Sequence, residues 1–295
     1  MKKLSNGLAP GVFQICVAII AGVLFFVTSI ASTLAATVEE VVASEMEKHA
    51  ITGVSLAIIE NGRIIEAKGY GFTDKSKATA VTTNTLFQAG SVSKPVAALA
   101  ALRLVEAGKL ALDDNVNQFL KQWRVPENKF TKDQKVTLRR ILSHSAGLTV
   151  HGFPGYSVKD PVPSLRQVLD GSGPANTPAI RVDVVPGTIF RYSGGGYTVM
   201  QQLMIDVTGE TFPELMRESI LTPLGMNAST YEQPLPPDRV LAAATGYYSD
   251  GKQVKGRWHI YPEMAAAGLW TTPSDLARFA ISVQKGLANN SNPAI

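Results

Sequence analysis

Ser91-Val92-Ser93-Lys94 sets an alcohol and an amine three residues apart, just ahead of a proline and a long alanine–leucine run. Three residues advance a helix by nearly a full turn, so Ser91 and Lys94 fall on one face. An amine held against a hydroxyl can make an acylatable serine without a histidine base. The same residues also read as a helix start. Ser91 can serve as an N-cap, Pro95 has no N–H to lose in the first turn, residues 96–107 are good helix formers, and Gly108 is a stop. A serine there lies where free N–H groups and the positive dipole end favour a developing anion. Cap and nucleophile are compatible roles. A lysine near that dipole end is unfavourable and needs a further reason.

Spacing alone is weak evidence, because S-x-x-K recurs at Ser249/Lys252 and Ser282/Lys285. The first of these contains Asp250-Gly251 and reads as a turn. The second falls inside the last expected helix, where no N–H groups are free. Tyr-Ser also occurs three times, at Tyr156, Tyr192 and Tyr248, and only Tyr192-Ser193 precedes a triple glycine, Gly194 to Gly196, and a helix. Glycines there would let backbone approach a ligand closely, or simply form a turn.

The elements that must position these groups follow from periodicity and punctuation. Residues 38–50 read as an amphipathic helix. Residues 54–59 and 64–70 read as strands joined by Asn61-Gly62, a strong hairpin signal. Asp113-Asp114 is expected to cap a short helix through Trp123. Thr137 is a good cap for residues 138–143, with Gly147 as the stop. Residues 150–190 form a long connection rich in Gly, Pro, Ser and Asp. Helices are expected over 197–207 and 213–221. A second hairpin is expected to join 247–248 to 254–260. Thr272-Pro273-Ser274-Asp275 opens a last helix. His144, between two helix-stop signals, reads as a structural hydrogen-bonder. His151, Tyr156 and Trp258 could line a pocket but read first as packing residues, and Trp270 and Phe279 read as core.

Composition narrows the function classes. The chain has 295 residues and one cysteine, Cys16. Lys2 and Lys3 followed by an almost wholly apolar stretch at 12–30, then Thr33-Leu34-Ala35-Ala36, read as a leader over 1–36. It is either cleaved or kept as an N-terminal anchor. The rest is expected to be exported, periplasmic or extracellular, and to touch a membrane only through that leader. Beyond residue 36 there is no cysteine, hence no disulfide, thiolate nucleophile or cysteine metal site. Setting Lys2 and Lys3 aside leaves 26 basic against 24 acidic residues. With no basic stripe there is no case for nucleic acid. Four scattered histidines give no case for a metal, and no cofactor is implied.

In these contexts the boxes resemble the serine β-lactamase and penicillin-binding protein superfamily. The match is closest to its class C β-lactamase-like branch, which includes esterases and D-amino-acid peptidases. Further blocks in the family's order carry the resemblance. They are Leu142-Ser143-His144-Ser145-Ala146-Gly147-Leu148, Pro186-Gly187, Pro223-Leu224-Gly225-Met226 and Gly268-Leu269-Trp270-Thr271-Thr272-Pro273-Ser274-Asp275. The resemblance implies an α/β (α+β) fold with an antiparallel sheet flanked by helices, plus a helical lobe. The hydrolase domain would span 37–295, with an α/β lobe at 37–90 and 236–295 and a helical lobe at 91–235. It also implies Ser91 as nucleophile, Lys94 assisting its deprotonation, Tyr192 relaying protons, and Gly194 and Gly195 against the substrate. That substrate would be a β-lactam, an ester or a D-alanyl peptide of the cell wall. The alternative is a penicillin- or peptidoglycan-binding protein that acylates without turnover, or an inactive homologue.

Two departures qualify the resemblance. Class C enzymes usually carry asparagine where this chain has Gly194, which counts against efficient β-lactam hydrolysis and resembles the esterase and peptidase relatives. No K-T-G or H-x-G box occurs. The chain is therefore expected to lack the family's C-terminal strands and helix, and with them one oxyanion donor, a loss of roughly 2.7–4 kcal/mol. Poor activity is the corresponding expectation.

Overall fold

The computed structural model describes residues 37–289, and the expected leader and Cys16 lie outside that range. Two compact units are distinguished, one ending at Ile51 and one beginning at Thr52. Helix α1 (Val38–Lys48) belongs to the first. The Thr37 hydroxyl accepts from the Glu40 N–H and the Glu40 carboxylate accepts from the Thr37 N–H, so two helix-end donors are satisfied reciprocally. The helix stops short of residue 50 because Ala50 takes a left-handed backbone, φ 51°. Among the described residues no helix is long and apolar enough to cross a membrane.

In the second unit β1 (Gly53–Glu60) and β2 (Arg63–Gly71) pair antiparallel around Asn61-Gly62, both at positive φ as a tight two-residue hairpin requires. Two shorter antiparallel pairs follow. β3 (Phe87–Gln88) joins β6 (Trp270–Thr271), and β4 (Tyr156–Ser157) joins β5 (His259–Ile260). The second expected hairpin is corrected here. Tyr247 bridges Gln253 around Gly251, but residues 259–260 pair instead with β4 from the long connection. Their backbone groups need partners, and the connection supplies them across a long sequence separation.

The helices of this unit are α2 (Ser93–Glu106), α3 (Leu138–Leu142), α4 (Leu165–Asp170), α5 (Gly194–Thr208), α6 (Phe212–Met216), α7 (Met264–Ala267) and α8 (Pro273–Asn289). Thr137 caps α3 as expected, accepting from the Arg140 N–H. The aspartate cap is corrected. Asn115, not Asp113 or Asp114, caps a single 3-10 turn at Val116–Gln118, while Asp113 accepts from Nε and one terminal nitrogen of the Arg139 guanidinium. The 213–221 helix is split into α6 and a π-turn at Arg217–Leu221.

The main core joins α2, α3, α5, α6 and α7 through Val96, Leu99, Ile141, Val199, Met200, Leu203, Met204, Phe212, Ala265 and Ala266. Burying each large side chain here is worth roughly 1.5–3 kcal/mol. Both α2 and α5 pack on α7, so three segments far apart in sequence meet at one place. α8 lies against β1 and β2. A smaller core surrounds the buried Trp270, edge-on to Trp258.

Candidate active site

Ser91 stands on a 3-10 turn, Gly90–Val92, immediately before α2. This revises the expectation that Ser91 opens the α-helix itself. Gly90 takes φ 51°, a conformation glycine adopts without cost. The residue that fixes the turn is Ser93, which is fully buried. Its hydroxyl donates to the Gly90 carbonyl at 2.6 Å and accepts from the Leu269 N–H at 2.9 Å. The Tyr231 hydroxyl donates to the Ser93 carbonyl at 2.6 Å. Ser93 thus ties the turn to the segment after α7 and leaves the Ser91 side chain uncommitted to capping. Ser93→Ala is expected to lower unfolding free energy by about 1–3 kcal/mol, because the buried Leu269 N–H loses its acceptor. Urea denaturation checks this, and an unchanged midpoint would remove Ser93 from that role.

Lys94 follows one turn later and is buried, at 4% exposure, whereas Ser91 is exposed. Its ammonium donates to the Ala266 carbonyl on α7 at 2.7 Å and to Ser91 Oγ at 3.0 Å. It also lies over the Tyr192 ring, 5.1 Å from the centroid, and over the Tyr197 ring at 5.8 Å. Burial pushes the lysine below its ordinary value, and the neighbouring Tyr192 phenol pushes back. The unfavourable first-turn lysine therefore has its reason in α7, whose carbonyl holds it in place.

Tyr192 arrives from the far side, just before α5. Its phenol lies beside Lys94 and Ser91. Burial alone would raise its pKa, but hydrogen bonding to Lys94 and Ser91 and the lysine's charge outweigh burial and bring it below 10. The two titrations are coupled and belong to the pair. The structure thus brings Ser91, Lys94 and Tyr192 together around one point, with the hydroxyl facing out and the amine facing in. Such a cluster can take a proton from an alcohol and return it to a leaving group.

The glycines take a different place. Gly194 to Gly196 are the buried first turn of α5, which begins three residues earlier than expected, with the Ser193 hydroxyl accepting from the Gly196 N–H. The Gly194 and Gly195 N–H groups donate to the carbonyls of His151 and Val150. A Cβ on Gly195 would lie 2.5 Å from the Thr149 carbonyl oxygen. The close approach that glycine permits is to the chain's own 149–153 loop, which covers both residues. Among the other residues considered, His151 stays exposed with its ring 4.9 Å from that of Tyr192. Tyr156 is buried, accepting from the Asn176 N–H, and Trp258 is buried against Trp270.

His144 has more to do than its position in sequence indicated. Its ring stacks on Tyr192 at 4.3 Å and its Nδ1 accepts from the Ser193 N–H. Its local signal, a histidine between stop residues, gave no hint of Tyr192, which lies 48 positions away. Likewise nothing local marked the Ala266 carbonyl as a lysine acceptor.

Comparison with known proteins places the chain in a family. The Beta-lactamase family model matches residues 38–293. Penicillin-binding protein 4 of Amycolatopsis lactamdurans is 27% identical over 79% of this chain and 59% of its own length. Protein flp of Staphylococcus aureus (strain NCTC 8325 / PS 47) is 26% identical over 80% and 45%. The chain thus spans about half the length of these relatives. Among solved structures, an octameric penicillin-binding protein homologue from Pyrococcus abyssi aligns with TM-score 0.64 and 25% identity, over 84% of this chain and 56% of that one. A mutant class C beta-lactamase aligns at 0.64 and 26%, over 86% and 65%. EstCE1, described as a hydrolase with promiscuous acyltransferase activity, aligns at 0.68 over 86% and 72%, and at 23% identity shares the fold. The chain belongs to the beta-lactamase family of serine hydrolases and has its β-lactamase/transpeptidase-like fold.

Proposed function

We propose that this protein is a serine hydrolase that works through an acyl-enzyme on Ser91. The observation that carries the reading is the exposed Ser91 hydroxyl 3.0 Å from a buried lysine nitrogen, with a tyrosine phenol beside both. Ser91 Oγ attacks the carbonyl carbon of the acyl donor. Its proton passes to the coupled Lys94–Tyr192 pair, and the Ser91 N–H faces the developing oxyanion. Tyr192 then protonates the leaving group as the tetrahedral intermediate collapses. Water attacks the ester of Ser91 in the second half, and the same pair carries the proton in reverse.

The substrate class is a small ester or a D-amino-acid peptide ahead of a β-lactam. A side chain at position 194 could aid a lactam amide, but here it is a buried glycine. The apolar leader of the sequence supports action outside the cytoplasm.

A labelled penicillin and a p-nitrophenyl ester test this on the full chain. Covalent labelling and ester turnover that both disappear in Ser91→Ala are expected. Stable labelling without product release would favour the binding alternative, which the penicillin-binding relatives keep in view. Equal labelling of Ser91→Ala and the parent would remove the nucleophile and the reading with it.

A further inference from the structure

One residue holds the segment that carries Tyr192 from both sides. The Arg191 N–H donates to the His144 carbonyl at 2.7 Å, and the Ser193 N–H donates to His144 Nδ1 at 3.1 Å. Between these bonds the Tyr192 ring lies on the imidazole, with centroids 4.3 Å apart and planes inclined by 28°. His144 itself takes φ 55°, a left-handed backbone that a non-glycine residue adopts at a cost and that asparagine tolerates well. It is kept there by its own N–H to the Ile141 carbonyl and by the Ser145 N–H to the Arg140 carbonyl. Phe190 meets the ring edge-on at 5.9 Å and Tyr197 lies at 5.3 Å.

Nδ1 can accept from the Ser193 N–H only while the ring is neutral. The titratable groups around it are Lys94, His151, Tyr192 and Tyr197. The Arg191 guanidinium turns away, to Asp183 and the Gly147 carbonyl. Burial first, then the charges of Lys94 and His151, hold His144 below its ordinary value and so favour the neutral ring.

We infer that His144 is a positioning residue for Tyr192. It clamps the backbone on either side of the tyrosine and supports its ring, so that the phenol stays against Lys94 and Ser91. This rests on the acyl-enzyme reading above. His144 touches no reacting atom. A shift of about 1 Å in the phenol is enough to weaken a proton relay by roughly 10²-fold.

His144→Phe and His144→Asn in the full chain separate the contributions. Phenylalanine keeps a ring but loses the acceptor and fits the left-handed backbone poorly. Asparagine offers an oxygen near the Nδ1 position and tolerates that backbone. The readouts are acylation of Ser91 by a p-nitrophenyl ester and the phenolate absorbance of Tyr192 against pH, assigned with Tyr192→Phe. His144→Phe is expected to slow acylation roughly 10²-fold with little change in KM. It is also expected to move the Tyr192 titration up towards an ordinary tyrosine. His144→Asn is expected to recover most of both. If His144→Phe does not fold, His144→Asn remains the test: an acylation rate and Tyr192 titration close to the parent's support the clamp. A His144→Phe protein that keeps the parent's rate and titration would overturn it, as would an Asn variant that recovers neither. Should Ser91 itself prove dispensable for acylation, the functional reading fails alone, and the Tyr192 titration still decides the role of His144.

Discussion

Replacing Lys94 with methionine is expected to slow acylation of Ser91 by roughly 10⁴-fold or more, the scale at which a nucleophile loses its base. The stability of the fold should change far less. Methionine has nearly the length and shape of the lysine stem, and the site is already lined by Tyr192, Tyr197 and the carbonyl side of α7. Losing the ammonium leaves the Ala266 carbonyl without that donor, at about 1–3 kcal/mol, but also removes the desolvation of a buried cation. These two effects oppose each other. Burst kinetics with a p-nitrophenyl ester and thermal unfolding, run side by side, check the expectation. Lys94→Arg should fare no better, because a guanidinium cannot give up its proton near neutral pH. Acylation by Lys94→Met at a rate near the parent's would show that the alcohol is activated some other way.

Glu263→Gln is expected to remove most of a pH dependence of stability worth about 3 kcal/mol. Glu263 sits at the N-terminal end of α7 and is wholly buried. Neither carboxylate oxygen has a hydrogen-bond partner among the described residues. The Tyr156 hydroxyl lies beside it, accepting from the Asn176 N–H and keeping its own proton available to the carboxylate. Burial raises its pKa to about 7, only partly offset by its own backbone N–H and by Tyr156. A carboxyl with a folded pKa above its unfolded value of 4.5 favours the fold while protonated. Its contribution is whole below pH 4.5. It fades as pH rises towards 7, where the unfolded chain releases a proton that the folded one retains, and it is gone above that. Each pKa unit corresponds to about 1.4 kcal/mol, which gives the magnitude. Urea unfolding of both proteins at pH 5 and pH 8 isolates the effect, since other titrating groups cancel in the difference. The glutamine protein should gain roughly 2–3 kcal/mol on the parent between those two values, because at pH 5 the unfolded carboxyl has already lost most of its proton. An equal difference at both would mean that Glu263 ionises in the fold as readily as in the unfolded chain.

Local signals in the sequence carried the hairpin, the cap at Thr137, and the pairing of Ser91 with Lys94. Each depends on neighbours within about four residues, where backbone geometry dictates who meets whom. Family order then placed Tyr192 with them. The failures have one cause as well. Asp113 was free to cap, yet Arg139 drew it away; residues 259–260 could have closed a local hairpin, yet β4 paired with them.

By itself the sequence determined which chemical groups are available, an alcohol, an amine and a phenol, and that the first two share a face. Only the tertiary structure decided what surrounds them. It set the Ala266 carbonyl on Lys94, wrapped His144 around the backbone of Tyr192, tied Ser93 to Leu269, and enclosed Glu263 away from water. Those contacts join residues about 48 to 176 positions apart. Burial and hydrogen bonding, which set the pKa values of the cluster, depend on packing in space, and no run of adjacent residues encodes that.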